Sequence, residues 1–134
     1  MNRKLHILVA GDGSEICEFV ASLLRPEFEV VGVATTGRDL VYAALDLMPD
    51  VIVLETSLPT LGGITAMNEL HATGTYIPVV LFSGLFRRVG ISRFPGALVY
   101  VDKSDLDADL THAVRCAKSG KQFFSRSIAL FPPQ

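Results

Sequence analysis

Short apolar runs recur along the chain, and between them apolar residues fall at helical spacing. Four runs are continuous and do not alternate with polar residues, as expected of strands buried on both faces of a parallel sheet. These four are Leu5 to Ala10, Val51 to Leu54, Val79 to Phe82 and Leu98 to Val101. A fifth run, Phe28 to Ala34, is rich in valine and predicts a strand near the edge of the same sheet. The pattern therefore predicts five strands.

Three stretches between the runs show the period of amphipathic helices. The first has apolar residues at i, i+3, i+4, i+7 and i+8 after Ser14, a candidate N-cap. The second begins at Thr36, a candidate cap with Asp39 at the capping-box position, and breaks at Pro49. The third follows Ser104, another candidate cap, and stops at Gly120. Strands that alternate with helices at this interval predict a doubly wound α/β fold around one parallel sheet.

Composition and charge narrow the function classes. With 134 residues, 49% hydrophobic and 19% charged, the chain fits one soluble globular domain. The net charge of −2 provides no broad positive field, so we expect no direct binding of nucleic acid by this chain. Cys17 and Cys116 form no CxxC pair, which favours buried reduced thiols and a cytoplasmic location. No apolar run reaches the roughly 18 residues of a membrane helix, so we expect no membrane association.

Chemically active groups follow the ends of four predicted strands. Gly11 and Asp12 come after the first strand, Glu55 after the third, Ser83 after the fourth and Lys103 after the fifth. The carboxyl ends of parallel strands meet at one edge of a sheet, where doubly wound folds place their functional groups. A single aspartate there is more often a helix cap and a single lysine a solvated charge. Complementary groups at four strand ends instead predict a site.

The segments around these groups resemble a known family. They are ILVAGDGSEICEFVASLL, EVVGVATTGRDLVYAAL, PDVIVLETSLPTLGGI, IPVVLFSG and ALVYVDKSDLDADLTHAVRCAKSGKQFF. From about Lys4 to Gly120 the chain is similar to the CheY-like receiver domain of two-component response regulators, above all those with a LuxR/NarL-type DNA-binding domain that regulate transcription. The resemblance implies a flavodoxin-like, five-stranded parallel sheet in the order 2-1-3-4-5. It divides the chain into a receiver domain, residues 1–120, and a C-terminal tail or linker, residues 121–134.

The resemblance also assigns a phosphoacceptor position. In the family an aspartate at the end of the third strand accepts a phosphoryl group from a histidine kinase, and Glu55 matches that position. Pro59 and Gly63 follow it four and eight residues on, as in the family motif. The residues after the first strand match an acidic pair that holds Mg²⁺, but Gly11 stands in place of one acid and only Asp12 is retained.

Three further residues match family positions. Ser83 matches the hydroxyl that binds a phosphoryl oxygen, and Lys103 matches the lysine that pairs with the phosphoryl group. Tyr100 matches the aromatic switch that turns inward when that hydroxyl moves. The resemblance implies a protein partner, either a histidine kinase or an output domain or protein.

Glu55 and Gly11 depart from the family pattern, and both departures argue against conventional phosphorylation. The additional methylene of glutamate carries its carboxylate roughly 1.5 Å farther into the pocket, where in-line attack on a phosphodonor is poorly aimed. The missing acid at Gly11 leaves less negative charge for Mg²⁺, whose binding we expect to be weak or absent. A longer carboxylate can reach Lys103 directly. Glu55 then either imitates the activated state or forms a purely structural ion pair in a decayed site.

Other functions stay open on the sequence. One is a receiver with an unusual phosphoacceptor, Ser83 or Asp12, and another is a flavodoxin-like module that binds a small molecule. Gly11-Asp12-Gly13 suggests a nucleotide loop, but Ile16 stands at the third glycine of G-x-G-x-x-G. The three histidines lie away from the strand ends, so we expect no enzyme.

Two segments are candidates for contacts with partners. Residues 84–96 make a poor helix because a glycine interrupts them and a proline comes near their end, so we predict a degraded fourth helix before the fifth strand. Arg87, Arg88 and Arg93 form a basic patch there, either a solvated loop or a docking surface for a partner protein. Apolar residues of the tail either cap the core or pair two protomers as a homodimer. They are Phe123, Phe124, Ile128 and Phe131.

Overall fold

A computed structural model of the chain describes residues 3–57, 62–84 and 97–129. Several predicted features lie outside these residues. They are residues 85–96 of the degraded fourth helix, Pro59, the basic patch of Arg87, Arg88 and Arg93, and Phe131 in the tail. What was inferred about them stays a prediction.

The described residues form a parallel sheet of six strands in the order β2-β1-β3-β4-β5-β6. The strands are β1 His6–Ala10, β2 Glu29–Ala34, β3 Val51–Glu55, β4 Val79–Ser83, β5 Val99–Asp102 and β6 Phe123–Phe124. Every neighbouring pair is parallel. The α/β fold and the order 2-1-3-4-5 of the longer strands are confirmed, but the predicted number of five strands is wrong.

The sixth strand escapes the apolar pattern because it contains only Phe123 and Phe124, too few residues for a run. It pairs with β5, where Val99 lies opposite Phe123 and Tyr100 opposite Phe124. Phe123 packs against one hydrophobic cluster and Phe124 against the other, and Ile128 is buried with the second. These three tail residues therefore cap the core. The homodimer stays a prediction.

Helices cover both faces of the sheet. In the described ranges they are α1 Ser14–Leu24, α2 Gly37–Leu47, α3 Gly63–Ala72, α4 Leu106–Lys118 and α5 Arg126–Ala129, and a 3-10 turn, Lys103–Asp105, precedes α4. Val20 of α1 and Leu110 of α4 belong to the hydrophobic cluster on one face. Leu40 of α2 and Met67 of α3 belong to the cluster on the other. The strands between them are therefore buried on both sides, as their continuous apolar runs predict.

The starts of the helices only partly follow the predicted caps. Thr36 Oγ1 accepts a hydrogen bond from the backbone N–H of Asp39 at 3.1 Å, which confirms Thr36 as the cap of α2. Ser14 is wrong as a cap, because it is already helical and the N-cap of α1 is Gly13, with φ 120. Ser104 is wrong as well, since it lies inside the 3-10 turn before α4.

Two further predictions concern the state of the cysteines and the absence of a membrane helix. Cys17 and Cys116 are free and buried, as predicted. Among the described helices, none has the length and hydrophobicity that a membrane crossing requires. The cytoplasmic location stays a prediction.

Candidate functional site

The sheet brings the strand-end groups to one edge. Glu55 is the last residue of β3 and Ser83 the last of β4, while Lys103 directly follows β5. In the register of the sheet Ser83 lies opposite Asp102, the residue before Lys103. The loop after β1 reaches the same edge, because the backbone N–H of Asp12 donates a hydrogen bond to Glu55. The carboxyl edge of the sheet is therefore the candidate site.

The carboxylate of Glu55 is buried between two partners. Glu55 is 3% exposed. Its Oε2 forms an ion pair with Lys103 Nζ, and its Oε1 accepts a hydrogen bond from Asp12 N at 2.6 Å. The side chain of Lys103 is 40% exposed, so the pair joins a buried anion to an ammonium group that water still reaches. Both oxygens of the carboxylate are thus engaged within the protein.

Gly11 leaves the space that the Glu55 carboxylate needs. A Cβ atom at Gly11 would lie 3.3 Å from Glu55 Oε1 and 3.1 Å from both Cys17 Sγ and Ile16 Cγ2. An acidic side chain there would crowd the carboxylate and would also repel it. Glu55 and Gly11 are therefore parts of one arrangement, in which the glutamate side chain and the absence of a side chain at Gly11 fit together.

The buried charge of Glu55 also affects Cys17. Burial raises the pKa of the Cys17 thiol, and the negative charge of Glu55 raises it further. The backbone of Gly11 makes a hydrogen bond that lowers it, but by less. Cys17 is therefore a neutral, packed thiol beside the site and not a reactive thiolate.

The acidic residues at this edge do not fit Mg²⁺. The ion takes about six oxygen ligands in near-octahedral geometry and is usually held by carboxylates that are free to bind it. Here Gly11 offers no side chain, the Glu55 carboxylate is bound to Lys103 and Asp12 N, and the exposed Asp12 contributes one carboxylate. Within the described ranges no group of three or more His, Cys, Asp or Glu residues is placed to hold a metal ion.

Tyr100, at the position of the predicted aromatic switch, lies inside the protein. It is 4% exposed, and its ring stacks on Phe124 with the centroids 5.5 Å apart and the planes at 19°. Its hydroxyl donates a hydrogen bond to the carbonyl oxygen of Ala97 at 3.4 Å. Ser83, at the position of the predicted phosphate-binding hydroxyl, is also buried, with 4% exposure. Tyr100 therefore occupies an inward position and is covered by the tail.

A second polar cluster lies next to the site, and sequence reasoning missed it. It consists of three buried aspartates and a tail segment, Ser125–Ser127, which we call the SRS segment. The aspartates are Asp102, Asp105 and Asp109. A signal was present in the sequence, because Asp109 lies beside Leu110 on the apolar face of α4, where a charged residue requires a partner.

Over most of its length the chain is similar to known proteins. The sequence model of the response regulator receiver domain matches residues 7–115. Over 105 residues the chain is 32% identical to a protein-glutamate methylesterase/protein-glutamine glutaminase from Nocardioides sp., covering 74% of this chain and 29% of that protein. It is 33% identical over 110 residues to one from Carboxydothermus hydrogenoformans, covering 76% of this chain and 30% of that protein. The chain thus spans less than a third of the length of these relatives.

Solved structures show the same fold. A two-component response regulator of the LuxR family from Aurantimonas sp. superposes with a TM-score of 0.80 at 25% identity, covering 96% of this chain and 94% of that chain. The response regulator domain of CheB from Thermotoga maritima superposes with a TM-score of 0.76 at 23% identity, covering 87% of this chain and 98% of that chain.

Proposed function

Because this chain belongs to the response regulator receiver domain family of two-component signalling, we propose that it is an atypical receiver that is not phosphorylated in the conventional way. In this proposal Glu55 stands at the phosphoacceptor position, and the domain acts as a protein-interaction module. Its partner is a histidine kinase or an output domain or protein. The domain has no catalytic activity of its own and binds Mg²⁺ weakly or not at all.

The observation that carries the proposal is the state of the Glu55 carboxylate. A nucleophilic carboxylate must present a free oxygen to the phosphodonor, with the reacting atoms aligned. In Glu55 one oxygen is paired with Lys103 and the other accepts the Asp12 N–H hydrogen bond inside a buried site. Attack on a phosphodonor would require at least one of these contacts to be given up, without the acidic pair that places Mg²⁺ in the family.

The direct ion pair also supports a role for Glu55 as a mimic of the activated state. In phosphorylated receivers, by family resemblance, the lysine pairs with the phosphoryl group and the aromatic switch turns inward. Here Lys103 is already paired with Glu55, and Tyr100 is buried. The alternative is a structural ion pair in a decayed site, since a buried pair by itself is weak support for a function.

Intact-mass analysis after incubation with acetyl phosphate and Mg²⁺ tests the proposal. The wild-type chain is expected to keep its mass. The matched control is Glu55→Asp combined with Gly11→Asp, which shortens the acceptor and restores the acidic pair. This variant is expected to gain a phosphoryl adduct that depends on Mg²⁺.

A stoichiometric adduct on the wild-type chain would overturn the proposal. The variants Ser83→Ala and Asp12→Asn would then show whether either residue is an unusual acceptor, which is the alternative reading of the sequence. An adduct lost in one of these variants would identify a phosphorylatable receiver with a shifted acceptor.

A further inference from the structure

The tail covers the outer edge of β5 and is tied to it through the backbone. After β6, the backbone N–H of Ser125 donates a hydrogen bond to the carbonyl oxygen of Tyr100 at 2.9 Å. In return, the backbone N–H of Asp102 donates to Ser125 Oγ at 2.9 Å. Ser125 is fully buried. The tail therefore continues the hydrogen bonding of the sheet past its last strand.

Asp105 holds both serines of the SRS segment. Its Oδ2 accepts hydrogen bonds from Ser125 Oγ at 2.6 Å and from Ser127 N at 2.9 Å, and its Oδ1 accepts one from Ser127 Oγ at 2.8 Å. Burial by itself raises the pKa of Asp105, but these hydrogen bonds and the charge of Arg126 together outweigh it and leave the pKa lowered. Asp105 is thus a buried carboxylate that the tail stabilises in its charged form.

Asp109 holds the arginine between the two serines. Its Oδ1 pairs with Arg126 Nη2 at 2.9 Å, and its Oδ2 accepts from Arg126 Nε at 3.3 Å and from Arg126 N at 3.1 Å. This two-pronged contact is the arrangement in which a guanidinium group binds a carboxylate most specifically. The residues held by Asp105 and Asp109 form one continuous segment, Ser125–Ser127.

A three-residue turn connects this cluster to Glu55. The first residue of the 3-10 turn, Lys103, pairs with Glu55, and the last, Asp105, holds the SRS segment. Asp102 caps the turn, since its Oδ2 accepts from Ser104 N at 3.0 Å and from Ser104 Oγ at 2.6 Å. Its Oδ1 is buried and has no hydrogen-bond partner among the described residues, which costs free energy. The turn therefore depends on the anchors at its two ends.

We propose that the SRS segment is a latch whose closure on β5 is controlled by the Glu55–Lys103 ion pair. When the pair weakens, the turn shifts, Asp105 loses its contacts with Ser125 and Ser127, and the tail leaves Tyr100. A change at the carboxyl edge of the sheet, where the strands end, thereby exposes the lateral edge of β5, which the tail covers. The latch rests on the proposed function only in that the Glu55–Lys103 ion pair is the controlling contact. It does not require that phosphorylation is absent.

Amide hydrogen exchange measured by NMR on the full chain tests the latch. In the wild-type protein the amides of Ser125, Arg126 and Ser127 are expected to be protected. Glu55→Gln and Lys103→Gln break the pair from either side, and each is expected to speed exchange of these three amides by about tenfold or more while the amides of β1 and β3 keep their rates.

Two control variants separate release of the latch from general destabilisation. Asp109→Asn removes the carboxylate that binds Arg126 and leaves the Glu55–Lys103 ion pair intact. It is expected to speed exchange of the same three amides. Asp50→Asn removes a carboxylate at the opposite edge of the sheet, where it accepts from His6 N and Lys118 Nζ. It is expected to leave the SRS amides at wild-type rates relative to the rest of the sheet.

Three outcomes would overturn the inference. The first is fast exchange of the SRS amides in the wild-type protein. The second is wild-type protection in Glu55→Gln and Lys103→Gln while Asp109→Asn exchanges fast, since the segment would then be held independently of the pair. The third is a uniform rise at all amides. None of these results depends on the phosphodonor experiment, so the proposed function and the latch can fail separately.

Discussion

At the scale of single residues, the arrangement of the site depends on the additional methylene group of Glu55 and on the absence of a side chain at Gly11. Glutamate carries the carboxylate far enough to reach Lys103 and Asp12 N at once. Gly11 keeps the adjoining space empty, because a Cβ atom there would lie in close contact with Glu55 Oε1. The residue at each of the two positions therefore depends on the residue at the other. This dependence is not apparent when Gly11 and Glu55 are considered separately.

This dependence predicts a coupling between Gly11 and Glu55. Gly11→Ala places a Cβ 3.1 Å from Cys17 Sγ and 3.3 Å from Glu55 Oε1. We expect it to lower the free energy of unfolding by about 1–3 kcal/mol, as overpacking in a core does. In Glu55→Asp the carboxylate retracts, so Gly11→Ala is expected to cost less in that background. Urea unfolding of the four proteins of this double-mutant cycle measures the coupling, and strictly additive effects would contradict it.

The environment of Tyr100 gives a second prediction at this scale. The chain has three tyrosines and no tryptophan, and Tyr42 and Tyr76 are 65% and 74% exposed. With Tyr42→Phe and Tyr76→Phe, Tyr100 becomes the single fluorophore of this type. If Glu55 holds the inward state, adding Glu55→Gln is expected to increase acrylamide quenching of Tyr100. Unchanged quenching in a folded protein would favour a purely structural ion pair.

At the scale of elements, the helix caps show which helix start is determined by local sequence and which by tertiary contacts. Thr36 caps α2 because the backbone N–H three residues later has no backbone partner within the helix, and the predicted hydrogen bond from Asp39 N to the Thr36 side chain is present. Ser14 has the same chemistry but lies one residue inside α1, after Gly13 with its φ of 120. The loop that delivers Asp12 N to Glu55 determines where α1 begins, so tertiary contacts override the local signal.

The two positions provide a matched pair of variants. Thr36→Ala is expected to lower the free energy of unfolding by about 1 kcal/mol, the usual loss for a removed N-cap. Ser14→Ala is expected to change it by less than about 0.5 kcal/mol, since the exposed Ser14 makes no cap hydrogen bond. Thermal or urea unfolding of both variants checks this, and an equal loss in the two would show that the assignment of the caps is wrong.

At the scale of the whole molecule, acidic residues hold chain segments in place at both edges of the sheet, where the strands end and where they begin. Asp105 holds the tail at the carboxyl edge. At the opposite edge Asp50 accepts a hydrogen bond from His6 N at 2.8 Å and contacts Lys118 Nζ and Arg3 Nη2, each at 3.3 Å. Asp50 thereby joins the start of β1 to the end of α4. The contacts of both carboxylates require the charged form.

These two residues predict how stability depends on pH. The hydrogen bond from His6 N, with smaller effects from Lys118 and Arg3, outweighs burial and lowers the pKa of Asp50. The pKa of Asp105 is also lowered, despite the opposing effect of burial. A carboxyl group with a lowered pKa in the folded state stabilises the protein above its unfolded pKa, and that stabilisation is lost as the pH falls through the folded pKa.

The free energy of unfolding is therefore expected to decline as the pH falls below about 4. Asp50→Asn is expected to make the decline shallower, because one of the two groups no longer titrates. Urea unfolding between neutral pH and about pH 2.5 measures both curves. A variant whose decline is as steep as that of the wild-type protein would exclude Asp50 as a contributor.

Local sequence was sufficient for the five longer strands and the residues at their ends, and the family resemblance supplied the order of the strands. Each strand is a run of apolar residues long enough to be recognised without its neighbours, and a parallel sheet then brings the groups that follow the strands to one edge. The family resemblance rests on these same local segments.

Contacts between distant parts of the chain decided the rest. Strand β6 has two residues and exists because β5 offers it a hydrogen-bonding edge. The fit of Gly11 to Glu55 and the seat of the SRS segment on Asp105 and Asp109 join residues far apart in sequence. Such polar contacts follow no periodic pattern, because a hydrogen bond depends on where two groups meet in space and not on their spacing along the chain.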